Sequence, residues 1–429
     1  MRSFLAVIVF FLFFSIQAVF AQAFQDPWRY PETNSLMGGV GVTWIDNTSY
    51  TTFTIAPDIA FGKIGIGLYL QLLFNNEDNF KLRTDEFKDA PGILRTITYV
   101  RYGQKYDPFY ARLGMLYNTS LANGFLMWNY NNGSNYDKRK LGLVADFDFG
   151  KIGVETVYSN FSKFEIAGGN LYFRPFRFMP APPLILRNLR LYGTFIHDDN
   201  IFTIDSLGNG TTTQLQAYGF GTDLQWLNLP VLKSFLYAEY GKFIDYGSGK
   251  TFGISAIVPE FIGLFGVGAR FEKRFLNEGF ISNFFGPLHE LNRNLPVLDT
   301  LASAPKTEGW FGELSGHVLH RLLLVGNYQS LNGIANSGRL HLEASAPDLI
   351  PNVLLRAYYD KSGIETFEDA RTLDNRSIAT GELGYQIFPL TYLTIVYRWY
   401  WVEEQDEFGN ISYKPLERIE PRISFSKSF

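Results

Sequence analysis

The sequence predicts an all-β chain: a single antiparallel up-and-down transmembrane β-barrel of about twenty strands, within a range of roughly 16 to 22. Short periplasmic turns and long extracellular loops should alternate around it. Three observations predict this. Apolar and polar residues alternate over stretches of roughly ten residues almost to the last position. Those stretches are joined alternately by tight Gly/Pro turns and by long polar gaps. The composition, with 17% aromatic residues and 40 Gly, has a mean hydropathy of −0.04. A wall that meets lipid on one side only has such an average; a helical membrane protein does not.

The clearest unit is 140–161, KLGLVADFDFGKIGVETVYSNF. In its first arm Leu141, Leu143, Ala145, Phe147 and Phe149 alternate with Lys140, Gly142, Asp146 and Asp148, and only Val144 breaks the pattern. The second arm sets Ile152, Val154 and Tyr158 against Gly153, Glu155 and Ser159. Between them Gly150-Lys151 forms a two-residue turn whose glycine supplies a positive φ. Phe61-Gly62-Lys63-Ile64-Gly65 repeats as Phe149-Gly150-Lys151-Ile152-Gly153. It is the same turn used twice.

From the start, residues 1–21 carry one charge, Arg2, and an apolar run too short for a comfortable membrane span, which predicts a signal peptide. Residues 22–36 hold two prolines and no alternation, and are expected to form a periplasmic leader. The barrel then occupies 37–429. Candidate strands fall near 37–46, 51–61, 63–74, 93–103, 109–119, 139–149, 151–161, 164–174, 187–198, 213–226, 233–244, 250–259, 262–275, 309–320, 322–332, 337–346, 352–361, 379–388, 391–403 and 417–429. Even-numbered gaps are short, with one exception: 175–186 is longer and carries four prolines. Odd-numbered gaps include 75–92, 120–138, 199–212, 276–308, 362–378 and 404–416, which are longer and more polar.

Alternation leaves open which face meets lipid. Geometry decides it, because about twenty strands enclose a lumen too wide for side chains to fill, and a polar lumen holds water. Ile64, Ile66, Leu68, Leu70 and Leu72 should therefore face lipid, as should Leu393, Ile395, Tyr397, Trp399 and Trp401. The expected lumen charges are Arg112, Lys140, Arg190, Arg270, Arg339, Arg356, Arg398, Arg418 and Arg422, against Asp146, Asp148, Glu155, Glu239, Glu272, Glu343, Asp360, Glu382 and Glu420. Equal numbers predict weak ion selectivity, with roughly half of these charges spent on ion pairs in the wall.

Two odd gaps are too apolar for solvated loops. Gap 276–308 mixes aromatics, Leu and Pro, and is expected to fold inward as a constriction or lid. Gap 120–138 contains Trp128 and Tyr130, which either form an aromatic platform for a ring-bearing solute or pack on the barrel rim. Catalytic residues, metal ligands and cofactors are not expected. His317 and His320 should lie on opposite faces of a strand, and Asp198-Asp199-Asn200 reads as an acidic outer loop. A net charge of −4 argues against a nucleic-acid partner, and the absence of cysteine excludes a lipoprotein anchor and disulfides.

The last stretch, 417–429, is ERIEPRISFSKSF, amphipathic and ending in phenylalanine, with Phe425 on the same face as Phe429. With the signal peptide and the alternation, this resembles the outer-membrane β-barrel proteins of Gram-negative bacteria. In size and loop plan the porins are nearest. The resemblance implies an integral outer-membrane protein, monomer or homotrimer, recognised by the barrel-assembly machinery through Phe425 and Phe429. It implies a porin-like transport channel for small hydrophilic solutes. The alternatives are a transporter of apolar solutes using 24–36 as a hatch, and a sealed barrel serving adhesion, assembly or structure.

Overall fold

The computed structural model describes residues 35–45, 48–84, 87, 92–93, 96–133, 140–204, 210–293, 295–405 and 411–428. The expected signal peptide, the expected leader up to residue 34 and Phe429 lie outside them. One antiparallel sheet contains 22 strand segments. Ile64–Leu68 and Leu70–Asn75 are two halves of one stave interrupted at Tyr69, and Lys81–Leu82 is a two-residue clip in an outer loop. Twenty staves remain, one for each predicted strand.

Each stave pairs with its chain neighbours, and the cylinder closes where Ser35–Ile45 pairs with both Thr48–Phe61 and Ile411–Ser428. Glycine permits that closure. A Cβ on Gly38 would sit 2.6 Å from the Phe425 ring, and one on Gly39 would sit 2.6 Å from the Ile423 carbonyl oxygen. The repeated turn has the expected geometry, with Gly62 at φ 57° and Gly150 at φ 80°. Across the second copy the Phe149 amide donates to the Ile152 carbonyl at 2.9 Å.

The outer face is apolar and the inner face charged. Leu314 is 61% exposed, and Ile64, Ile66, Leu68, Leu393 and Ile395 are also exposed, whereas Arg190 and Arg274 on the inner face are fully buried. A water-soluble barrel would show the reverse, so the apolar band faces lipid.

The wall is uneven in height. Staves between Ile97–Tyr102 and Ile166–Phe173 run 6 to 8 residues. Arg190–Ile204 and Gly210–Leu229 run 15 and 20, so their hairpin rises through much of the gap expected at 199–212. Thr211, Thr212 and Thr213 favour the strand, and a register shift between Asp198 and Ile201 absorbs the bend. The strand expected at 109–119 instead ends at Gly114, whose φ is 139°. From there the chain turns into the lumen. The two histidines also depart from expectation. Thr307–Val318 stops before His320, and Leu319 and His320 both take φ 52°. That curls the His320 ring back over His317, centroids 4.0 Å apart, instead of placing them on opposite faces.

Candidate functional site

The lumen is built first from the wall. Most of the charges expected to line it are engaged in ion pairs. Asp146 takes Lys105 at 2.6 Å, and Asp148 takes Arg174 at 2.8 Å. Arg190 bridges Asp223 at 2.6 Å and Glu155 at 3.5 Å. Glu272 pairs with Arg274 at 2.6 Å and Arg270 at 3.5 Å, and accepts the Tyr237 hydroxyl. Along the wall formed by the last staves Arg356 and Arg422 share Glu382, while Arg398 and Arg418 share Glu420. Asp360 meets His341 at 3.0 Å. Among the described residues Arg112, Glu239, Arg339 and Glu343 have no ion pair recorded, so well over half of these charges are paired. Arg112 instead lies over the Tyr99 and Tyr117 rings, 4.0 and 4.5 Å from their centroids.

Some wall charges hold backbone rather than one another. After Gly114 the chain runs inward, and its polypeptide is pinned at three points. Glu155 accepts the Ala122 amide at 2.9 Å; Glu239 accepts the amides of Asn123 and Phe125 at 3.3 and 3.2 Å; Arg270 donates to the Asn123 carbonyl at 2.6 Å. The Arg270 guanidinium also stacks 3.9 Å from the Trp128 ring, whose Nε1 donates to Glu313 at 3.1 Å. Carboxylates bound to otherwise orphaned amides make this loop a fixed feature.

The second inward segment is 277–306, and the two loops are zipped together. Asn283 and Phe285 donate backbone hydrogen bonds to Phe125 and Leu126 at 2.9 and 3.2 Å, and Trp128 donates to Phe285 at 3.2 Å. Leu121, Phe125, Leu126 and Met127 from one loop and Phe280, Phe284, Phe285, Leu298 and Leu301 from the other form a single apolar core. That core rests on inner-face residues Ile166, Ile196, Leu215 and Phe243. Short helices His289–Asn292 and Val297–Ala302 complete the segment.

An ionic clamp fastens the far end of this loop. His289 Nε2 meets Asp198 at 2.7 Å, Arg293 binds the same carboxylate and the Asp199 carbonyl, and Glu290 takes Lys140, Arg293 and the Tyr130 hydroxyl. Lys140 also reaches Glu165 at 2.6 Å. Burial opposes ionisation of Glu290, but Lys140, Arg293 and His289 outweigh it and hold the carboxyl well below the usual carboxylate range. A carboxyl held below its unfolded value contributes fully above that value, and the contribution is lost only as pH falls through the folded one. The 277–306 loop is therefore expected to resist limited proteolysis from neutral pH down to about pH 4 and to become sensitive only below it. Onset of cleavage near pH 6 would sink this account of the clamp.

Trp128 and Tyr130 both lie inside the barrel. Tyr130 is fully buried under Glu290 and offers no open face. Trp128 borders a cavity of about 690 Å³ between the second loop and the wall of strands Thr307–Val318 to Val353–Ile364. Phe284, Leu288 and Leu295 line one side of it, and Asn327, Gln329 and Arg339 the other.

Sequence reasoning missed Asp198, Asp223, Arg274, His289, Glu290 and Arg293. Arg274 lies one alternation step beyond Arg270 and Glu272, inside the expected strand 262–275, and carrying the same parity one step further would have found it. Asp198 read as outer loop because the bulge hid the continuing strand. His289, Glu290 and Arg293 sit in a loop, where no periodicity marks a face.

No family model matches the chain, and no curated protein matches it. The chain is an integral membrane β-barrel. Among solved structures it is similar to Pseudomonas aeruginosa OccK2 (OpdF) in complex with glucuronate, with 10% identity over 92% of this chain and 95% of that one, at a TM-score of 0.35. It is also similar to OccK8 (OprE) of Pseudomonas aeruginosa, 11% identical over 92% and 97% with a TM-score of 0.32. The outer membrane protein opdK of the same organism is 10% identical over 92% and 98%, with a TM-score of 0.31. These likenesses set one barrel beside others and no more. What the lumen does is read from its own residues.

Proposed function

We propose that the chain is a porin-like channel of the bacterial outer membrane, passing small hydrophilic solutes through the lumen that the two zipped loops narrow. The observation that carries this reading is the pinned loop: Glu155, Glu239 and Arg270 hold residues 122–125 at fixed positions inside a charged cylinder. A constriction must be rigid to discriminate among solutes, and the lining must be wet. The 690 Å³ cavity beside Trp128 is large enough for a small solute. Phe425, on the lipid-facing side of the last stave, supports recognition by the assembly machinery, and the chain works as a monomer or homotrimer.

Single-channel recording of the refolded protein tests the reading. Steady open steps of weak selectivity are expected, because the inner charges nearly cancel. A correctly inserted but silent barrel overturns it in favour of a sealed, structural role.

A further inference from the structure

The one long turn at the short-turn end remains unexplained by transport. It joins Ile166–Phe173 to Arg190–Ile204 through 174–189, with Pro175–Phe178 and Leu186–Asn188 as single 3₁₀ turns. Its polar side is tied into the barrel mouth. Arg174 pairs with Asp148; Arg177 donates to the Gly150 carbonyl at 3.0 Å and to Asn188 at 2.8 Å. Its other side is apolar and uncovered: Leu184 is 88% exposed, and Phe178, Met179 and Ile185 are each more than half exposed.

That apolar side continues an interface already present. Leu171, Phe173, Ile152 and Phe149 form the lipid-facing foot of the adjoining staves and are all exposed. Lys151, in the next turn, lies 5.0 Å from the Phe178 ring centroid. The backbone suits a half-dry environment too. Pro175, Pro180, Pro182 and Pro183 have no N–H, so irregular chain here carries fewer donors to leave unsatisfied outside water. Charge points the same way. Lys151 and Arg187 are exposed beside the apolar side, and Asp148 at the barrel mouth is taken by Arg174.

We infer that 176–187 is an interfacial foot: Phe178, Met179, Leu184 and Ile185 enter the acyl boundary of the periplasmic leaflet, and Lys151 and Arg187 meet anionic phospholipid headgroups. A basic, aromatic, proline-stiffened segment of this kind anchors the barrel's depth in the bilayer.

The chain contains no cysteine, so single-site spin labels report without background. Leu184→Cys and, separately, Phe178→Cys would be labelled in the full-length protein refolded into phosphatidylethanolamine/phosphatidylglycerol vesicles, with Asp78→Cys in an outer loop as the water reference. Collision accessibility to oxygen relative to a nickel chelate should be several-fold higher at 184 and 178 than at 78. Heat-modifiable gel mobility confirms that each variant is folded, and the second position keeps the test alive if one fails. Water-like accessibility at both positions overturns the inference and leaves this face for a periplasmic protein. The readout is depth rather than current, so it stands or falls apart from the channel reading.

Discussion

Deleting residues 280–304 and joining the ends with a short Gly/Ser linker is expected to raise single-channel conductance several-fold. The segment supplies Phe280, Phe284, Phe285, Leu298 and Leu301 to the apolar core inside the lumen, and no neighbouring side chain could swing in to replace that volume. The wall does not depend on it. The flanking strands Phe265–Leu276 and Thr307–Val318 pair with each other in register from Phe265↔Val318 to Leu276↔Thr307, so the hairpin survives with a shorter tip. What is lost is packing. Each buried Leu or Phe contributes about 1.5–3 kcal/mol, and the first loop, unzipped from Phe285, should become protease-sensitive beyond its wall pins, near Leu126 and Met127. A folded deletion variant with unchanged conductance would mean that this loop does not obstruct the path.

Arg190→Ala is expected to be the most damaging single substitution in the wall. The Arg190 side chain is fully buried between Asp223 and Glu155, themselves almost completely buried. Its removal strands two buried carboxylates, and breaking a buried pair in this way costs about 3–5 kcal/mol. Because Glu155 also holds the Ala122 amide, the damage should reach the constriction. Urea unfolding in detergent micelles would show the loss, and a companion Arg190→Ala/Asp223→Asn variant should recover part of it. Loss of less than about 1 kcal/mol would show that water reaches the pair.

The architecture was legible because a barrel writes itself locally. Alternation in Leu340, Leu342 and Ala344 against Arg339, His341 and Glu343 fixes which face each occupies, and Gly150 fixes where the chain reverses. The expected lumen charges were named from the same parity. Their partners could not be, since Arg190 meets Asp223 on the next stave and Glu155 two staves away, and pairing across strands depends on register rather than period. The inward loops were legible only as an excess of apolar residues in two gaps. That Phe285 would bond Leu126, or that Glu290 would accept from Lys140 and Tyr130, depends on how two loops meet in space.

The closing seam sets the order of assembly. Ser35–Gly41 pairs with Arg422–Ser428, so the final ladder joins segments separated by almost the whole chain, and its loop-closure entropy is the largest in the molecule. The arc that carries the two inward loops holds most of their anchors, from Lys140 and Glu155 through Glu239 and Arg270 to Glu290, with Glu313 on the next stave. That arc can therefore organise first, as an open curved sheet with its contents already packed. Closure is then the slow step, a ring drawn shut around a finished interior. A refolding time course should accordingly show protection of Trp128 before the heat-modifiable form appears.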